Sequence, residues 1–188
     1  MMFSDVEIQH LAGGLVVIAA LPFMIASGFE DDLGFTVCVM GIFIAAFLCH
    51  ELAHKVSAQM FGYWAEFRLN PWGVALTLIS YVSPVKLVAP GAVLIDGQLY
   101  WNDLGKIAVA GPLTNIGQAV VFLGVQTLTG NAVLMNLASI GISLNSTLAL
   151  INMLPYGMLD GAKVLQWNWK AWLIVTAIAG TLFLISSI

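Results

Sequence analysis

The chain has 188 residues, of which 60% are hydrophobic and 9% charged, against about 25% charged in a soluble domain. Apolar runs of span length recur, so the composition excludes an ordinary soluble domain and predicts an integral membrane protein. The net charge of -4 is spread thinly and points to no nucleic-acid partner.

In chain order, residues 1–10 are polar and acidic, and His10 falls at the membrane edge as an interfacial residue with no assigned chemistry. No cleavable signal peptide is expected, because Met1 to His10 holds no Lys or Arg and the first apolar run is long enough to span. The first span is predicted at 11–27, with Pro22 inside it, followed by an acidic loop with Glu30, Asp31 and Asp32. The second span, 35–60, carries His50-Glu51-Leu52-Ala53-His54. The two cysteines, Cys38 and Cys49, lie on the same span, about 16 Å apart along it, too far for a disulfide.

Residues 62–102 are too polar and too punctuated for a span. Tyr63–Leu69 and Val74–Val82 favour strand by their aromatic and β-branched content. Asn70-Pro71-Trp72-Gly73 reads as the turn between them, and Lys86–Ile95 as a further segment. The expectation is a small membrane-associated β region over about 63–95. An open sheet edge cannot face lipid, so it must border protein or a wet cavity. Three more spans follow at 103–129, capped by Asn102 or Asp103, at 131–154, and at 170–188. A broken stretch, Pro155 to Gly161, and a short amphipathic piece to Trp169 separate the last two. The predicted architecture is one mainly α, five-span bundle over residues 1–188, with no internal repeat.

The chemistry centres on the second span. Histidines at i and i+4 project about 40° apart and sit about 6 Å apart along a helix, so both imidazoles reach one metal ion. With Glu51 between them they form the H-E-x-x-H pattern of zinc hydrolases. Three ionisable groups within an apolar span mark a functional site. Catalytic zinc takes three protein ligands and leaves a position for water, so a third ligand must come from elsewhere. Asp103 and Asp160 are the acidic candidates, Asp160 the better one. Spacing leaves its two roles, a ligand or the N-cap of the piece starting near Gly161, equally open. Either Asn115 or Asn152 can donate to an oxyanion or simply join helices.

The basic residues Lys55, Arg68, Lys86, Lys106, Lys163 and Lys170 all fall at or beyond the cytoplasmic ends of spans if the N-terminus is cytoplasmic. On that orientation His50 and His54 lie about 9–15 Å from the cytoplasmic end of their span and Asn115 about 18 Å in. Asp160 lies just beyond the broken fourth span, so these elements can meet at one depth.

In this order the motifs His50–His54, Phe61-Gly62, Leu69–Gly73, Ala110–Asn115 and Asn152–Gly161 resemble the site-2 protease family of intramembrane zinc metalloproteases, over roughly residues 45–165. The stretch 86–97 is similar to archaeal members. Val74 departs from the pattern, since many members carry a second glycine there. The resemblance implies one Zn2+ per chain held by His50, His54 and Asp160. Glu51 is then the base that activates a zinc-bound water, and Asn152 lies near the oxyanion. It gives Asn115, Gly73 and Pro112 substrate-side or structural roles. It also implies a single-span transmembrane substrate, presented as an added strand. The membrane is then that of a prokaryotic, archaeal cell, with the active site toward the cytoplasm and no PDZ or CBS domain in the chain. The competing expectation is a metal-ion transporter or permease with an intramembrane His/Glu/Asp site. Inverted repeats would favour it, and none is visible. An inactive homologue that only binds membrane proteins is a third, and an intact Glu51 argues against it.

Overall fold

A computed structural model describes residues 3–25, 33–82 and 89–186. The acidic loop with Glu30, Asp31 and Asp32, and Lys86 with most of the stretch preceding Pro90, lie outside the described residues. The elements are α1 (Asp5–Ile25), α2 (Leu33–Met60), β1 (Trp64–Leu69), α3 (Pro71–Ser80), β2 (Gly91–Asp96), α4 (Trp101–Leu128), α5 (Ala132–Asn152), α6 (Asp160–Trp167) and α7 (Trp169–Ser186). Helices α1, α2, α4, α5 and α7 are each long and apolar enough to cross a membrane. They point to a multi-pass membrane protein.

Helix α4 is central and packs on α2, α5, α6 and α7. One apolar core joins α1, α2 and β1 through Ile18, Leu21, Phe43, Phe47 and Phe67. Phe47 meets Phe67 edge to face at 5.6 Å. A second core joins α4 to α7 around Ala119, Ala149, Val164 and Ala179. The site described below lies between the two, where α2 meets α4 and α6.

Three element assignments differ from expectation. Residues 71–80 are helix, not the expected turn and strand. The Asn70 side chain accepts from the Trp72 and Gly73 amides, and Pro71 occupies the first turn. An Asn cap followed by Pro is a helix start, and it outweighs the β-branched content of the segment. Secondly, α1 begins at Asp5, so the polar N-terminal residues belong to the helix. Glu7 is fully buried, and His10 Nδ1 accepts from the Leu69 amide at 3.2 Å. Thirdly, α4 starts at Trp101, two residues earlier than a cap at Asn102 allows and three earlier than one at Asp103. Its N-cap is Tyr100, with no side-chain bond. Asn102 instead accepts from the Trp167 indole at 2.6 Å.

The expected strand over 63–69 is present as β1 and pairs antiparallel with β2, Phe67 opposite Val93. Gly62, at φ +85°, turns the chain from α2 into β1, a conformation only glycine adopts without strain. The outer edge of β1 is covered by protein, as the lipid argument asks of an open edge. On the β1 side Phe67 N–H donates to Glu7 Oε1 at 2.9 Å and Leu69 N–H to His10. Both strands also contact α2.

Candidate metal centre

The heptad-like spacing of α2 turns Phe43, Phe47, His50, Glu51, His54 and Lys55 inward, and all are buried. His50 and His54 therefore face α4 from successive turns. Asp160 arrives from the first turn of α6. Its alternative role as a cap does not hold, because the N-cap of α6 is Leu159. What lets Asp160 approach is Gly161. A Cβ there would lie 2.1 Å from the Met153 carbonyl oxygen, so only glycine lets α6 start against the end of α5.

The three groups form a tight triangle. His50 Nε2 and His54 Nε2 are 3.1 Å apart. Asp160 Oδ2 stands 3.1 Å from His54 Nε2 and 3.5 Å from His50 Nε2. Each residue offers one ligand atom to a common point, and each is more than nine-tenths buried.

Both imidazoles have an outer partner. His54 Nδ1 lies 2.8 Å from the Ile107 carbonyl oxygen, which only accepts, so His54 carries its proton on Nδ1. His50 Nδ1 lies 2.6 Å from Asn115 Oδ1. The amide of Asn115 spends its own hydrogens on Ala46 O at 3.1 Å and Asn145 Oδ1 at 2.9 Å. Its oxygen is therefore the acceptor, and His50 is also protonated on Nδ1. The two Nε2 lone pairs and a carboxylate oxygen then converge with no hydrogen between them. A positive charge belongs at the centre of this set. A proton can bridge two of the atoms, whereas a metal ion satisfies all three.

The dimensions suit zinc. A tetrahedral ion with ligands at about 2.0–2.2 Å sets them about 3.3–3.6 Å apart, close to the observed edges. Space is provided on the α4 side by Gly111. A Cβ at that position would stand 2.4 Å from His54 Nε2 and 2.6 Å from His50 Nε2. Outer partners on the second ring nitrogen are the usual means of orienting metal-binding histidines. Two nitrogens and one carboxylate oxygen with room beside them are the donor set of a catalytic rather than a structural zinc site.

The chain is 36% identical, over 176 residues, to a protein of Methanocaldococcus jannaschii described as a "putative zinc metalloprotease"; the match covers 92% of this chain and 90% of that one. The chain belongs to that zinc metalloprotease family. No family model matches it, and no solved structure does.

In this metalloprotease-family chain the remaining sequence candidates fall into two groups. Glu51 is 8% exposed and follows His50 directly on α2. Its carboxylate lies beside the Val93 backbone of β2. Asn115 is fully buried against His50, and Pro112 is buried beside Gly111 within α4. Gly73 lies at the α3–β2 junction, where a Cβ would stand 2.4 Å from the Ala89 carbonyl oxygen. The Asn152 amide donates to Leu148 O, one turn back on its own helix.

Four contributors escaped the sequence reading. Asn145, fully buried on α5, completes the amide chain behind His50. Gly111 and Gly161 stood within recognised motifs, but neither carries a side chain to suggest a role. Lys163 Nζ lies 3.4 Å from Asp160 Oδ1. It engages the carboxylate oxygen that does not face the histidines, and its i+3 position on α6 is a readable signal.

Proposed function

We propose that this chain is an intramembrane zinc metalloprotease of the site-2 type. It hydrolyses peptide bonds within or near the transmembrane segments of single-span, membrane-anchored proteins. The observation that carries this reading is the convergence of three buried metal-ligating atoms, two of them from a helix long enough to cross a membrane, beside Glu51. Family membership supplies the reaction class, and burial within apolar spans supplies the location.

Zinc, when bound, acts as a Lewis acid toward the scissile carbonyl and makes a neighbouring water acidic near neutral pH. His50, His54 and Asp160 hold it there. Glu51 removes the proton from the attacking water and returns it to the leaving amine. Asn152 is the proposed donor to the oxyanion, after its amide turns from Leu148 O. Asn115 keeps the His50 ring in its tautomer and orientation.

A transmembrane helix hides its carbonyls in i→i−4 hydrogen bonds, so the substrate unwinds before attack. Strand β2 pairs on one side with β1, and no further strand pairs with it among the described residues. Its other edge meets Glu51. An unwound substrate paired along that edge regains backbone hydrogen bonds and lies beside the base. Arg68, Lys106, Lys163 and Lys170 favour a cytoplasmic placement of this end, in the cell membrane of a prokaryote. The test is Glu51→Gln in purified protein. Zinc content near that of wild type with cleavage reduced by about 10²–10⁴-fold is expected. Full cleavage by the variant would remove Glu51 as the base.

A further inference from the structure

Glu7 and Lys55 form an ion pair that the chemistry above does not use. Both are essentially without solvent exposure, at 0% and 1%. They sit on α1 and α2, and each is tied to the sheet or to the metal-binding face. Glu7 Oε2 accepts from Lys55 Nζ, while Glu7 Oε1 accepts from Phe67 N–H at 2.9 Å. Lys55 follows His54 and lies one helical turn beyond Glu51.

The register of the sheet makes this arrangement specific. Phe67 faces Val93, and the Phe67 amide points away from β2 toward Glu7. This is therefore a non-hydrogen-bonded pair, and the Val93 amide points away from β1 as well. One cross-strand pair is thus held on one side by Glu7 on α1 and faces Glu51 on α2 on the other. Leu69, two residues on, donates to His10 in the same way, one helical turn after Glu7. Ser4 adds a bond to Glu66 Oε2 at 3.0 Å.

We propose that Glu7, fixed by Lys55, is a positioning residue that sets the height of the β2 edge against Glu51. The inference rests on the reading of that edge as the place where substrate is paired. Glu7 and His10 also close the outer edge of β1, so an added strand can enter on the β2 side alone. The buried charges give α1 one seat on α2, and the Phe67 amide transmits that seat to the sheet.

The test compares the full chain in detergent as wild type, E7Q/K55M and E7L/K55M. Both double variants remove the buried charges together, and only the first keeps an acceptor for the Phe67 amide. Each is measured for zinc per chain, for deuterium uptake over 64–69 and 91–96, and for cleavage of fluorescein-labelled β-casein. E7Q/K55M is expected to match wild type. E7L/K55M is expected to take up deuterium about tenfold faster over 91–96 and to cleave about tenfold more slowly, with zinc near one per chain. Equal uptake by the two variants overturns the inference. H10F removes the neighbouring acceptor without touching a charge, so it serves where E7L/K55M does not fold. Faster uptake at the Leu69–Gly91 end supports the closed edge, and wild-type uptake there overturns it. A wild type that holds zinc and leaves casein intact counts against the protease reading alone, because the uptake comparison still decides the role of Glu7.

Discussion

At His50 and His54 one proton on each ring is committed outward, to Asn115 and to the Ile107 carbonyl. That commitment turns two ordinary histidines into two lone pairs aimed at a common point. Removing the outer acceptor should loosen the ring more than the fold. Asn115→Ala is expected to weaken zinc binding by about 10–100-fold, read by competition with a chromogenic chelator, while helix content stays at the wild-type level. Gly111→Ala should act more directly, since its Cβ would fall 2.4 Å from His54 Nε2. The expected result is loss of zinc from the purified protein; a variant that keeps a full complement would show that α4 can retreat from the site. The two histidines were legible from sequence because i, i+4 spacing fixes their common face, and Glu51 because it completes the H-E-x-x-H pattern. Asn145 and Gly111 were not, because their contributions depend on how α4 packs against α2 and α5. Local spacing carries no information about that.

Among the elements, α6 depends on a close approach that sequence alone could not measure. Gly161 lies against the Met153 carbonyl, and Gly105 lies against Trp167, where a Cβ would come within 2.1 Å of that side chain. Gly161→Ala meets backbone, which cannot rotate away, so it should displace Asp160. Zinc loss together with a lower unfolding temperature is the expected pair of results, and a thermal melt with metal analysis checks it. The segment 71–80 teaches the opposite lesson. Its residue types favour strand, yet its first two residues, Asn70 and Pro71, specify a helix start. Turn and cap signals outrank propensity over so short a stretch. Replacing Asn70 with Ala should lower stability by about 1 kcal/mol, measurable as a shift in the denaturant midpoint. β1, by contrast, was readable, because its aromatic residues stand immediately after the Gly62 turn.

For the whole molecule, the apolar runs made five long apolar helices legible from composition, each long enough to cross a membrane. The meeting of His50, His54 and Asp160 was readable as well, because rise per residue converts sequence position into distance along a helix. The buried Glu7–Lys55 pair was not. By sequence Lys55 falls at a cytoplasmic span end with the other basic residues, and Glu7 falls outside the first span. Their pairing requires α1 to lie on α2 beside the sheet, a tertiary fact. Breaking it from one side leaves an uncompensated buried charge, at about 3–5 kcal/mol. Lys55→Met alone should therefore destabilise far more than the E7Q/K55M double variant, and thermal melts of the two in one detergent would distinguish them. Equal melting temperatures would mean the charges are hydrated.

The most direct measurement is metal per chain, by mass spectrometry, for wild type and Asp160→Ala purified in detergent without chelator. The account predicts about one zinc in wild type, and its loss in the variant with helix content unchanged. Wild type without metal, or Asp160→Ala with a full complement, would contradict a three-ligand zinc centre and the peptidase built on it.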